Sequence, residues 1–274
     1  MSPRRSMLRT TREKMRFDIM TLFPDMVDNI LSTSIIGRAK EAGYIETYSH
    51  NIRDYSKDKH HRVDDSPYGG GMGMLMSPVP IYDCYRAILD MQKEADASRG
   101  RETKRRVIYM SPRGKVLTQR RAYELTAYDD LIILCGHYEG VDERIIEEIV
   151  DEELSIGDYV LTGGELPACV LIDCVSRMLD GVLSNDDCWR GESIASGMLE
   201  YPQYTRPVDF MGRKVPDVLL SGHHANIERW RREEAVKKTL EMRPELLSGA
   251  GVGFDKAEPS PGKTADSSET EKNL

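Results

Sequence analysis

The chain has 274 residues, of which 31% are charged and 39% hydrophobic, a balance that suits a globular protein with a buried core and excludes low-complexity or fibrous classes. No apolar run approaches the roughly 20 residues needed to cross a bilayer, which excludes a membrane span. A net charge of −8 argues against a surface that binds nucleic acid throughout, and leaves room for local basic patches such as those around Arg53–Arg62 and Arg229–Lys238.

Residues 1–14 are basic but lack an apolar h-region, so they read as a disordered extension upstream of the foldable pattern and not as a secretory signal. From Met15 to Phe23 the chain alternates as a strand, and 25–42 carries Met26, Val27, Ile30 and Leu31 at helical spacing. Ile45 to Ile52 alternates again. A long polar stretch then runs from Arg53 through the cluster Gly69-Gly70-Gly71-Met72-Gly73-Met74, whose spacing satisfies neither G-x-G-x-x-G nor a P-loop. A helix is predicted over 78–91, a charged linker over 92–105, strands at 106–110, 131–135 and 153–156, and helices at 118–128 and 141–150. Tyr159 to Leu161 is strand-like, and a helix is predicted from Pro167 to Leu179. This alternation calls for a mostly parallel sheet covered by helices. Residues 181–200 read as an interdomain linker and 201–247 as a second unit with a helix from Ala225 to about Arg243. Residues 248–274 have little apolar content and read as a disordered tail. The five cysteines are an odd number with no C-x-x-C pair, which indicates neither a disulfide framework nor a zinc site and points to the cytoplasm.

Three strand ends run into short glycine-bearing loops: Val107 to Gly114, Leu131 to Gly140, and Ser155 to Pro167. Ligands of open α/β sheets bind outside the carboxyl ends of the strands, so the three loops are expected to form one pocket. Taken singly, a Gly-Gly turn is ordinarily no more than a tight β–α connection.

Taken in order, Phe23-Pro24, Asp64 to Met74, Ser111-Pro112 with Gly114, Gly136 to Arg144, Ile156 to Pro167, Tyr204-Thr205-Arg206-Pro207 and Ser221 to His224 resemble the bacterial tRNA (guanine-N1)-methyltransferases of the SPOUT class, from Met15 to about Leu247. The resemblance implies an α/β SPOUT domain over 15–180 with a deep C-terminal trefoil knot, and a small, mainly helical tRNA-binding domain over 201–247. It implies a homodimer that methylates the guanosine 3′ to the anticodon with S-adenosylmethionine, and Mg2+ as an added ion, while no metal-ligating residues stand out. Cofactor contacts then fall on Tyr109, Ser111, Pro112 and Gly114, on Gly136, Tyr138 and Glu139, and on Ile156, Gly157, Asp158, Tyr159, Val160, Leu161, Thr162, Gly163, Gly164 and Pro167. The tRNA contacts fall on Asp64, Tyr68, Gly69, Arg206, His223, Arg231 and Arg232.

Guanine N1 carries a proton at neutral pH, so its methylation needs a general base, and charge developing at O6 needs a donor. By resemblance the donor is Arg177 and the base is Glu192, which stands in G-E-S where the family has aspartate; Asp186 and Asp187 nearby read as solvated linker charges. Two other readings are a SPOUT methyltransferase with a different RNA target and a non-catalytic RNA-binding protein. The first leaves the second unit and Gly69 to Gly73 unexplained, and the second leaves the strand-end loops without a purpose.

Overall fold

The computed structural model describes residues 14–185 and 188–248, in two compact units that divide between Glu192 and Ser193. The disordered extension and tail expected at the ends fall outside the described residues apart from Lys14 and Ser248, and so do Asp186 and Asp187.

The first unit is built on β1 (Met15–Thr21), α1 (Pro24–Leu31), α2 (Ser34–Glu41), β2 (Ile45–Asn51), β3 (Asp64–Asp65), β4 (Leu75–Met76), α3 (Pro78–Ser98), β5 (Arg105–Val116), α4 (Gln119–Leu125), β6 (Asp130–Cys135), α5 (Glu143–Ile149), β7 (Glu152–Ser155) and α6 (Glu165–Ser176). Its sheet has five strands in the order β2-β1-β6-β5-β7, all parallel. A parallel sheet is covered on both faces, so its middle strands must be largely apolar. Asp130 to Cys135 is buried at every position, and Phe17, Ile19, Ile108 and Leu131 are fully enclosed. In register, Ile19 lies beside Ile133 and Ile133 beside Ile108, which makes one continuous apolar layer across the sheet.

Several sequence expectations are corrected. The single helix expected over 25–42 is two, because the chain turns at Ser32–Thr33 and a Cβ on Gly37 would overlap the Ser32 carbonyl. The linker expected from Gln92 is instead the last part of α3: Gln92 is buried and donates to Asp18 Oδ2 at 2.6 Å, so a polar residue serves the interior and breaks the apolar pattern. β5 continues past Met110 to Val116, and Tyr159 to Leu161 lie in a loop, not a strand. Helix α6 begins at Glu165, ahead of Pro167, and ends at Ser176.

The second unit contains a two-stranded hairpin, β8 (Asp209–Phe210) and β9 (Arg213–Lys214), a short helix α7 (Asp217–Leu220) and the long helix α8 (His224–Met242). Thr239 is fully buried on α8, and its hydroxyl accepts from the Leu199 backbone N–H at 2.9 Å while donating to the Ala235 carbonyl. All five cysteines are free, and among the described residues no helix is long and apolar enough to cross a membrane.

Candidate active site

The loops that leave β5, β6 and β7 meet around a cleft of about 510 Å³. Towards the end of β5 the ladder is interrupted: Met110 and Lys115 both face Leu154 of β7, so residues 111–114 bulge out of the ladder, and Ser111, Pro112 and Arg113 line the cleft. Gly114 lets the bulge lie flat, since a Cβ there would come within 2.5 Å of the Glu153 carbonyl carbon. The β6 and α6 loops are tied together by the Gly164 N–H donating to the Gly136 carbonyl at 2.9 Å and by an antiparallel bridge between His137 and Gly163. A Cβ on Gly136 would sit 2.8 Å from the Tyr109 hydroxyl, and one on Gly164 would sit 2.7 Å from the Cys135 Cα. Gly157 holds φ 148°, open only to glycine, and its N–H and carbonyl both bond the buried Ser155 hydroxyl.

Of the residues expected at the cofactor, Tyr109, Ser111, Pro112, Gly136, Tyr138, Glu139, Ile156, Tyr159, Val160, Leu161, Thr162, Gly163, Gly164 and Pro167 line this cleft. Gly114, Gly157 and Asp158 do not; the two glycines shape the loops and Asp158 is exposed. Burial pushes the Tyr109 hydroxyl above its ordinary value, so it stays protonated as a donor in the cleft wall.

Three polar residues of the cleft were missed from the sequence. Arg113 lines it and holds Glu153 and Glu143 at 3.0 Å each; the hydrogen bonds it donates to these carboxylates raise the guanidinium's already high pKa. Arg113 lies inside the motif Ser111–Gly114, and His137 and Glu143 lie inside the motif Gly136–Arg144, so all three could have been marked by position, although Glu143 reaches the cleft from α5. His137 lines the cleft, and its Nε2 lies 2.8 Å from Oε2 of Glu165, which is 2% exposed. The other carboxylate oxygen accepts from Thr21 Oγ1 at 2.7 Å, and Thr21 Oγ1 accepts from the Phe23 N–H. The ends of β1 and β6 and the start of α6 are thereby clamped to one buried carboxylate.

The glycine-rich loop is fastened to the same place. The Glu139 N–H donates to the Met74 carbonyl at 3.0 Å, and Met76 exchanges backbone bonds with Gly140 and Asp142. Asp64 pairs with Met76 across β3 and β4, while Tyr68 is 99% exposed and Gly69 and Gly70 have open space around them.

Arg177 caps the C-terminal end of α6 and meets Glu192 through two contacts, 2.7 and 2.8 Å. Glu192 follows a short 3₁₀ turn (Cys188–Gly191) whose Trp189 is buried against Tyr123 at 5.3 Å between ring centroids. The hydrogen bond to Glu192 raises the Arg177 guanidinium above its ordinary value. Neither residue lines the cleft.

In the second unit Arg206, His223 and Arg232 are exposed. His223 caps α8, its ring accepting from the Asn226 N–H. Arg231 is more engaged: it pairs with Glu228 at 2.6 Å and lies 5.0 Å over the Tyr201 ring. Among the described residues, no group of three or more His, Cys, Asp or Glu side chains stands together to hold a metal ion.

A strand-end cleft walled by glycine turns, and a guanidinium–carboxylate pair outside it, occur here in a chain whose relatives are closely similar along most of their length. It is 59% identical to a tRNA (guanine-N(1)-)-methyltransferase of Ruminiclostridium cellulolyticum, covering 85% of this chain and 97% of the relative. Identity is 54% to the enzyme of that name in Halalkalibacterium halodurans, over 86% of this chain and 92% of the relative. It is 52% to that of Clostridioides difficile, over 85% and 97%. The sequence profile of the tRNA (Guanine-1)-methyltransferase TrmD family matches residues 15–249, so the chain belongs to that family.

Proposed function

We propose that the chain transfers a methyl group from S-adenosylmethionine to N1 of the guanosine 3′ to the anticodon of tRNA. The observation that carries this reading is the convergence of the three strand-end loops on one cleft of about 510 Å³, within the range of small-molecule sites. The residues present fit the cofactor: glycines at 136, 163 and 164 keep the walls free of side chains, and the backbone of Ile156 and of Tyr159–Leu161 offers its polar groups to an adenosine or amino-acid moiety. When bound, S-adenosylmethionine supplies an electrophilic methyl group on a sulfonium. Glu192 takes the N1 proton, and Arg177 donates to O6, where the negative charge develops. The two are already neighbours, so a guanine edge of matched donors and acceptors slots between them in place of their mutual contacts.

Because Arg177 and Glu192 do not line the cleft of their own chain, the proposed assembly is a homodimer in which each pair serves the partner's cleft. Supporting it, α1 packs beside α6, and Met26, Ile30, Leu166 and Val170 on these helices are each at least 40% exposed. The proposal includes a trefoil knot in the C-terminal part of the 15–180 domain, a linker at 181–200 and a tRNA-binding domain at 201–247 that uses Arg206, His223, Arg231 and Arg232. It places the enzyme in the cytoplasm, and an added Mg2+ would bind through cofactor or RNA oxygens. Mass mapping of tRNA after incubation with the protein and S-adenosylmethionine tests the reading: one methyl on that guanine is expected, and a methyl elsewhere or none defeats it.

A further inference from the structure

The hairpin of the second unit is an ordered element with no role in the core. Its two central residues, Met211 at φ 56° and Gly212 at φ 83°, form a primed two-residue turn. The Gly212 N–H donates to Asp209 Oδ1 at 2.9 Å, and the Val215 N–H to the Val208 carbonyl at 2.9 Å, which closes the ribbon. Asn or Asp ordinarily takes the first central position, because their short polar side chains tolerate the left-handed region; methionine there is strained. Among the described residues nothing compensates for it, since Met211 is 87% and Phe210 63% exposed. Every residue from Gln203 to Lys214 is exposed. A bulky apolar tip that neither eases its own turn nor packs on the chain has to be explained by what it touches outside.

The charges around it select the occupant. Between Gln203 and Lys214 stand three cations, Arg206, Arg213 and Lys214, against the single anion Asp209, whose carboxylate is already used on the turn, in a chain whose net charge is −8. Arg213 lies directly across from Phe210 in the ladder, so a cationic and an aromatic side chain leave the same face of the ribbon from Cβ atoms about 5 Å apart. A ring to stack on beside a cation is the arrangement that receives an unpaired nucleotide, base on the ring and phosphate on the guanidinium. A second copy of this net-acidic chain or a protein segment would need no such alternation.

We propose that the hairpin tip is a stacking contact for unpaired nucleotides of the tRNA, with Phe210 and Met211 as the platform and Arg213 as the phosphate contact. The proposal rests on tRNA being the substrate and goes beyond the residues so far assigned to it.

The test uses the full chain and an unmodified tRNA transcript carrying guanosine 3′ to the anticodon. Phe210→Ala is expected to weaken tRNA binding about tenfold, the scale of one lost base–aromatic stack, while leaving the slope of log affinity against log salt unchanged. Phe210→Trp should bind like the parent. Met211→Asn should weaken binding even though it relieves the turn. Arg213→Ala should lower the salt slope. Parental affinity in Phe210→Ala, or an altered sedimentation coefficient without tRNA, overturns the proposal; the latter would assign the hairpin to contact between copies. A parent that binds tRNA with the Phe210 effect but leaves guanine N1 unmethylated defeats the proposed activity alone. Methylation with an unaffected Phe210→Ala variant defeats the hairpin alone.

Discussion

Glu165 and Glu192 are carboxylates in opposite situations. Glu165 is buried and bonded on both oxygens, by Thr21 and His137, and its place at the first position of α6 favours negative charge at the helix N-terminus. Glu165→Ala would strand the buried Thr21 hydroxyl and the half-buried His137 ring and should cost about 2–4 kcal/mol, read as a lowered urea midpoint, with Glu165→Gln recovering most of it. Glu192 is half-buried and held by Arg177, so its loss should be felt in chemistry instead. Glu192→Gln should slow single-turnover methylation by about 10²–10⁴-fold with cofactor and tRNA affinities little changed, and Glu192→Asp should keep much of the rate. The cleft's glycines were legible because a turn needs them whatever surrounds it. The pairing of His137 with Glu165 was not, because it is a meeting between residues 28 positions apart that leaves no periodic trace.

Strands and helices show where pattern reading holds and where it fails. The β6 run Leu131 to Cys135 announces itself because a strand buried on both faces must be apolar, while β1 conceals Asp18 in its interior. Burial alone would raise the Asp18 carboxyl, but hydrogen bonds from Arg16 at 2.7 Å and His50 at 2.7 Å outweigh that and hold it below its ordinary 3.8. The cluster joins β1, β2 and, through Gln92, α3. With the folded value depressed, its stabilisation is present above the unfolded value and is lost as pH falls through the folded one. Denaturant midpoints measured downward from pH 5 should therefore drop below about pH 4, and Asp18→Asn should remove that part of the pH dependence while lowering stability at neutral pH. The same cluster explains the misread boundary of α3: a glutamine turned inward toward an aspartate looks like surface to any hydrophobicity pattern. Tyr159 to Leu161 misled in the other direction, apolar and yet 55%, 80% and 40% exposed in a loop. A sequence read as one chain assigns such residues to its own sheet.

For the assembled enzyme, the exposed apolar face on α1 and α6 carries the clearest expectation. Val170→Glu places a charge on that face without touching the cleft, and should convert a dimer to monomers in equilibrium sedimentation, with methylation lost and the monomer still folded. A monomer with parental activity would defeat the proposed shared active site. The proposed dimer, the proposed knot and the proposed approach of Arg177 to a guanine depend on chain path and on a second copy, which spacing along one sequence does not encode; they were legible only through the family resemblance. The glycine-rich loop and the cleft, finally, hang on common backbone bonds, Met74 to Glu139 and Met76 to Gly140 and Asp142. Neither can shift without the other. Occupancy of the cleft then alters the freedom of the loop, and a free-energy cycle requires the influence to run equally in both directions. Titrating the cofactor with and without tRNA, and tRNA with and without cofactor, should return the same affinity ratio, and Gly140→Ala, which strains the shared joint at φ 137°, should move both ratios together.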